Sequence, residues 1–316
     1  MVVRCLTSLV LLVAPLLAVG AAPDPGFVSL QRWEHGGAQI QLSRVRTLTQ
    51  RLSKQNLLYQ LRLAALRKRD LIRTAEEMDA ALLALRKGSP SLGIPSPPTG
   101  AVRAAIDSLD RAWGPLRRLA MASVFDYALS SGGAGDGGGM DPLLVRHFDE
   151  LAEVVDRRAA MAQQRYLRVC ERSGVPDCIG VVQATRSGML SERLVKQAVL
   201  VFAGFDAEAN TVRLRESRES MRRVLEAAEA QEPVQSAMSS QRGKIGDIVG
   251  GLWRGIRGHW ERLSGDVDVV LAGQSQQLDV GETLAVQRLF LDDLTRFSVA
   301  VRRFSAVRRA GGTGRL

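Results

Sequence analysis

Three cationic positions recur at fixed spacing in two places along this chain. RVRTLTQRLSKQ (Arg44–Gln55) and RSGMLSERLVKQ (Arg186–Gln197) align without a gap at an offset of 142 residues. Arg44/Arg186, Leu48/Leu190, Arg51/Arg193, Leu52/Leu194, Lys54/Lys196 and Gln55/Gln197 are identical, and Thr49/Ser191 and Gln50/Glu192 are close. An arginine guanidinium presents its donors in a planar fork, the geometry needed to clamp a small oxyanion. At ~100° per helical residue, the core line of the first segment points between Val45 and Thr49. Arg44 and Arg51 stand on one flank of that line and Arg46 on the other. Arg186 and Arg193 repeat the first arrangement, with Lys54 and Lys196 as supporting cations. Two such helices meeting across an approximate two-fold axis would aim arginines from both sides at one anion. The same arginines would serve equally as partners for Asp or Glu of neighbouring helices, holding a bundle in register.

The elements that must carry these residues are helical. Leu42, Val45, Thr49, Leu52, Asn56, Tyr59, Leu63 and Leu66 follow alternating steps of three and four, and Phe290, Leu294, Phe297, Val301 and Phe304 repeat the pattern. The periodicity predicts eight helices, at about 38–68, 70–88, 100–130, 142–171, 177–204, 207–231, 235–271 and 278–309. SPSLGIPSPPTG (Ser89–Gly100) and SSGGAGDGGG (Ser130–Gly139) interrupt them through proline and glycine. Asp141 before Pro142 reads as an N-cap, and Asp206 as another. A weaker echo, DSLDRAWGPLR (Asp107–Arg117) against DIVGGLWRGIR (Asp247–Arg257), extends the duplication. The expected fold is all-α: two tandem up-and-down four-helix bundles, at 30–173 and 174–310.

Residues 1–21 read as a cleaved secretory leader, with Arg4 as the charged start, Leu6–Val19 as the apolar run and Gly20, Ala21 and Ala22 as cleavage sites. Export implies an oxidising compartment, and a disulfide between Cys170 and Cys178 is the expectation there, free buried thiols being the alternative. The 43 Lys and Arg outnumber the 33 Asp and Glu, for a net charge of +10. These charges are spread along helix faces, and no nucleic-acid reader motif accompanies them, so nucleic acid is not an expected partner. His35, His147 and His259 are scattered, and there is no phosphate loop or nucleophile elbow. Neither an enzyme nor a cofactor is expected. The adjacent pairs Glu76–Glu77 and Asp292–Asp293 read as solvated surface.

The repeated motif resembles the GRQRMLSQRMAK signature of the N-terminal domain of type IV pili methyl-accepting chemotaxis transducers, the PilJ-like domain. That domain is similar to the periplasmic sensor of NarX-type nitrate/nitrite kinases. The resemblance implies two PilJ-like bundles facing the periplasm. It also implies an anion-contacting arginine at Arg46, supplied in the nitrate-sensing relatives by each subunit across a dimer interface. In this chain the matching position of the second copy is Gly188, and Ser43 and Thr185 replace the signature glycine. Three readings stay open: a homodimer supplies two Arg46 side chains, or Arg44, Arg51, Arg186 and Arg193 do the work, or nitrate is not the ligand. No second membrane span or signalling output is expected after the second bundle. The expectation is therefore an exported sensory accessory module that binds a small anion and signals through a membrane partner. The alternative is an envelope scaffold with no small ligand, using the tryptophan-bearing helices and the basic C-terminal helix as contact surfaces.

Overall fold

A computed structural model describes residues 25–63, 68–130, 141–172, 177–230, 235 and 244–312, with side chains described apart from those of 25–36, 125–130, 170, 177–185, 244–246 and 301–312. The leader at 1–21 and the glycine run after Ser130 lie outside the described residues. So does the pairing of Cys170 with Cys178, whose side chains are not among those described.

Among the described residues the chain is all α, with eight α-helices: α1 (Pro25–Leu61), α2 (Lys68–Lys87), α3 (Gly100–Ser130), α4 (Pro142–Arg172), α5 (Asp177–Phe202), α6 (Ala207–Glu229), α7 (Lys244–Leu271) and α8 (Val280–Gly312). The proline-rich link between α2 and α3 holds a single 3-10 turn, Pro90–Leu92, closed by paired backbone bonds between Ser89 and Ile94. Gly37 of α1 faces this turn so closely that a Cβ would collide with the backbone carbonyls of Gly93 and Leu92. Position 37 is thus closed to any side chain.

α1 ends at Leu61, short of the expected 68. Arg62 takes the left-handed conformation (φ 55°), and the Leu63 N–H returns to the Leu58 carbonyl at 3.2 Å. The second copy closes identically: Gly204 is left-handed (φ 75°), and the Phe205 N–H returns to the Leu200 carbonyl at 2.9 Å. Each pair of positions is again 142 apart. The duplication therefore extends through the helix cap, with glycine where the conformation is free in one copy and arginine where it costs about 1 kcal/mol in the other. Leu63 recovers that cost by packing onto the core cluster containing Leu58.

Asp141 caps α4 as expected, accepting the Leu143 N–H at 2.9 Å. Asp206 does not cap α6. It is left-handed (φ 35°), makes no side-chain cap bond, and its carboxylate pairs instead with Arg146 of α4 at 3.3 Å.

α1 packs on α2 and α4, α2 on α3, and α3 on α4, forming one four-helix bundle; α5–α8 repeat the same pattern. One core is drawn from α1–α4. The second is drawn from α5–α8, with Leu57 and Leu58 of α1 and Val145 of α4 joining it. The echoed tryptophans lie inside these cores: Trp113 donates to Asp79 at 2.7 Å, and Trp253 packs on Phe297 with ring centroids 5.3 Å apart. Their indoles hold helices together internally and are not contact surfaces.

Between the bundles α1 lies along α5. Thr47 sits beside Gly188, and Arg51 reaches Glu192 at 2.8 Å; both pairs are 141 residues apart, so the two motif helices run parallel, one residue out of the repeat offset. This buries α1 nearly all round. Gln39, Gln50, Ser53 and Lys54 are buried as well as the apolar line: the first three bond to α4, and Lys54 to α5 and α8.

Candidate functional site

The α1–α5 seam gathers the repeated cations, and each half of it is built with a different carrier of negative charge. Arg51 and Lys54 of α1 both bind the Glu192 carboxylate of α5, at 2.8 and 2.6 Å. Lys54 also donates to Gln287 of α8, whose amide donates to Glu192 at 3.1 Å. Across the seam, Arg193 binds Glu153 of α4, and Lys196 binds Asp149 and Glu153 of the same helix. Gln50, which occupies the position equivalent to Glu192, donates to Glu153 at 3.4 Å. So the second copy places its acid in the motif and a neutral Gln287 on the flanking helix. The first copy has neutral Gln50 in the motif and acids on the flanking helix.

Arg46 reaches the same acidic face from α1. It holds Asp156 through two bonds, 2.7 and 3.2 Å, with Gln163 at 3.4 Å; Arg193 stands 3.6 Å from the same Asp156. Gln163 in turn donates to Ser43 at 2.7 Å. Arg44 binds Glu77 of α2 at 3.1 Å. Glu77 is thus an ion-pair partner, and Asp293 lies 3.4 Å from His259 Nε2, where solvated surface was expected. Arg186 behaves differently. It is exposed, has no acid partner among the described residues, and is pushed down from the usual arginine range by partial desolvation and by the nearby cations Arg46 and Arg223.

The electrostatics follow from burial. Burial alone would raise the Glu192 carboxyl, but Lys54 and Arg51 outweigh it and hold the group below the usual range. At Glu153 burial likewise acts upward, and Lys196 and Arg193, aided by the Arg193 and Gln50 hydrogen bonds, bring it from 4.5 to about 2. A depressed carboxylate contributes stability that is present above its unfolded value and lost as pH falls through its folded one. Resistance to urea should therefore fall between about pH 4.5 and about pH 2 as Glu153 protonates. Denaturation midpoints across that window test this; a Glu153→Gln variant should show a visibly flatter dependence.

The acids of this site were not singled out from sequence. A signal was present: Asp149, Glu153 and Asp156 fall four and three apart on α4, one acidic stripe at helical spacing. Gly188, opposite Arg46 in the alignment, lies against Thr47, with an added Cβ 3.5 Å from its Oγ1. The second-copy arginine pushed down by the Arg46 charge, after partial desolvation, is Arg186, two residues earlier.

The fold and seam define an all-α bundle protein whose two motif helices are locked by buried ion pairs. Residues 29–134 match the family model described as Type IV pili methyl-accepting chemotaxis transducer N-term (PilJ). That match spans nearly all of α1 with α2 and α3; α4 and the second bundle lie beyond it. The chain matches no curated protein and no solved structure. Among the described residues no helix is long and apolar enough to cross a membrane.

Proposed function

We propose that this protein is an exported, non-catalytic sensory module that takes a small anion at the α1–α5 seam and passes its state to a membrane partner. The PilJ match over residues 29–134 supports the sensory class. The leader-like Leu6–Val19 run supports export to the periplasm. The observation that carries the anion is Arg186, which has no acid partner among the described residues and is pushed down by partial desolvation and by the charges of Arg46 and Arg223. An anion taken up beside Arg186 would supply the counter-charge that Arg46 already has in Asp156. The influence of Arg46 on Arg186 within one chain supports a site built from both copies, with a homodimer supplying two Arg46 side chains as the alternative.

Thermal shift on the mature protein tests this, with nitrate, nitrite, chloride, sulfate and small carboxylates at equal ionic strength. A ligand at a hundred times its dissociation constant adds ~2.7 kcal/mol of stability. One anion should raise the melting temperature, and Arg186→Ala should lose that rise. A flat response across the set would favour the second reading, a helical envelope scaffold without a small ligand. The observation favouring it is that Arg44, Arg46, Arg51 and Arg193 each already hold a carboxylate.

A further inference from the structure

Next to the ion pairs, Ser53 and Asn56 of α1, Asp149 of α4 and Lys196 of α5 enclose a small cavity, with Phe148 and Leu200 among its apolar walls. It has room for the centre of one water-sized sphere, about 10 Å³. Its polar groups are unevenly used. The Asn56 Oδ1 is buried with no hydrogen-bond partner, on a residue only 1 % exposed. The Lys196 ammonium donates to Asp149 and Glu153 and retains a third N–H. The Ser53 hydroxyl gives its hydrogen to Asp149 and keeps its lone pairs. An orphan acceptor, a spare donor and a spare acceptor thus border one cavity.

The surroundings also select the occupant. Lys196 repels a cation, Asp149 repels an anion, and the volume excludes any polyatomic solute larger than water. We propose that the cavity is a binding site for a single ordered water, which accepts from Lys196 Nζ and donates to Asn56 Oδ1 and Ser53 Oγ. Three partners lie within the two to four typical of buried water. The site joins α1 to α5 through a neutral bridge where the rest of the seam uses charge. It is present once per chain: the positions equivalent to Ser53 and Asn56 in the second copy are Val195 and Ala198, which have no polar group to offer.

Two measurements on the full chain test this. A high-resolution crystal structure should show a density peak within hydrogen-bond distance of both Lys196 Nζ and Asn56 Oδ1. Magnetic relaxation dispersion of water oxygen, which counts long-lived internal waters, should fall by one water in Asn56→Leu and stay unchanged in Asn56→Asp. Wild-type density empty at this position, or equal water counts in wild type and Asn56→Leu, would overturn the proposal. If Asn56→Leu does not fold, the wild-type density decides alone.

Discussion

Changing Glu192 to glutamine should lower the unfolding free energy by about 3–5 kcal/mol, the usual consequence of removing one member of a buried ion pair. Glu192 is 1 % exposed and serves two cations at once, one of which, Lys54, is itself buried. Glutamine keeps the shape and part of the hydrogen bonding but leaves Lys54 and Arg51 without a counter-charge. A guanidinium titration of the variant reads the loss as a shifted midpoint at unchanged slope. A loss under ~1 kcal/mol would put the pair in the class of exposed surface bridges and sink the buried-seam account. Adding Gln50→Glu should not rescue the variant, although position 50 aligns with 192. The new carboxylate would fall beside Glu153, which Gln50 now serves as a donor.

Lys196→Met should be of similar size, about 3–5 kcal/mol at neutral pH, for the opposite reason. The methionine fills much of the same volume but strands Asp149 and Glu153, which share the ammonium from neighbouring turns of α4. Arg193 continues to hold Glu153, and Arg213 stands 3.9 Å from Asp149 at the exposed margin, so neither acid is fully replaced in partners. The sign of the pH dependence separates this from a packing effect. Without Lys196 the Glu153 carboxyl moves up from about 2, so the variant has less left to lose in acid. The gap between wild type and Lys196→Met should therefore narrow as pH falls below about 4.5. Parallel curves would mean that the loss is one of packing.

These two substitutions probe equivalent surroundings of the duplicated motif, and their logic differs because the copies have exchanged where the charge resides. Gln50 with Asp149 and Glu153 on one side, and Glu192 with Gln287 on the other, provide each Arg–Lys pair with acid by different routes. Alignment of the motif shows the cations as constant. It cannot show that the acid has moved from the motif helix to its neighbour, because that neighbour begins nearly ninety residues away from the first motif.

Much of the architecture was legible from local pattern. The eight helices, the break at the proline run, the Asp141 cap and the duplication all depend on hydrogen bonds and steric preferences within a few residues, and such signals survive in a linear text. The early end of α1 at Arg62 escaped because arginine gives no sign of a left-handed cap; its counterpart Gly204 does, and reading the repeat across would have found it.

The site was legible only in half. Residue types and spacing identified Arg44, Arg51, Lys54 and their equivalents Arg186, Arg193 and Lys196 as one recurring set, with Arg46 added by the family resemblance, since a guanidinium fork and an ammonium are local chemistry. Which of them would be neutralised was decided by tertiary packing alone. Placing α5 parallel to α1 and one residue out of the repeat offset brings Glu192 onto Arg51, while α4 brings Asp156 onto Arg46 and leaves Arg186 unpaired among the described residues. Coulomb attraction in a buried seam acts over a few ångströms between helices distant in the chain. Its outcome therefore depends on interhelical register, which no single helix encodes.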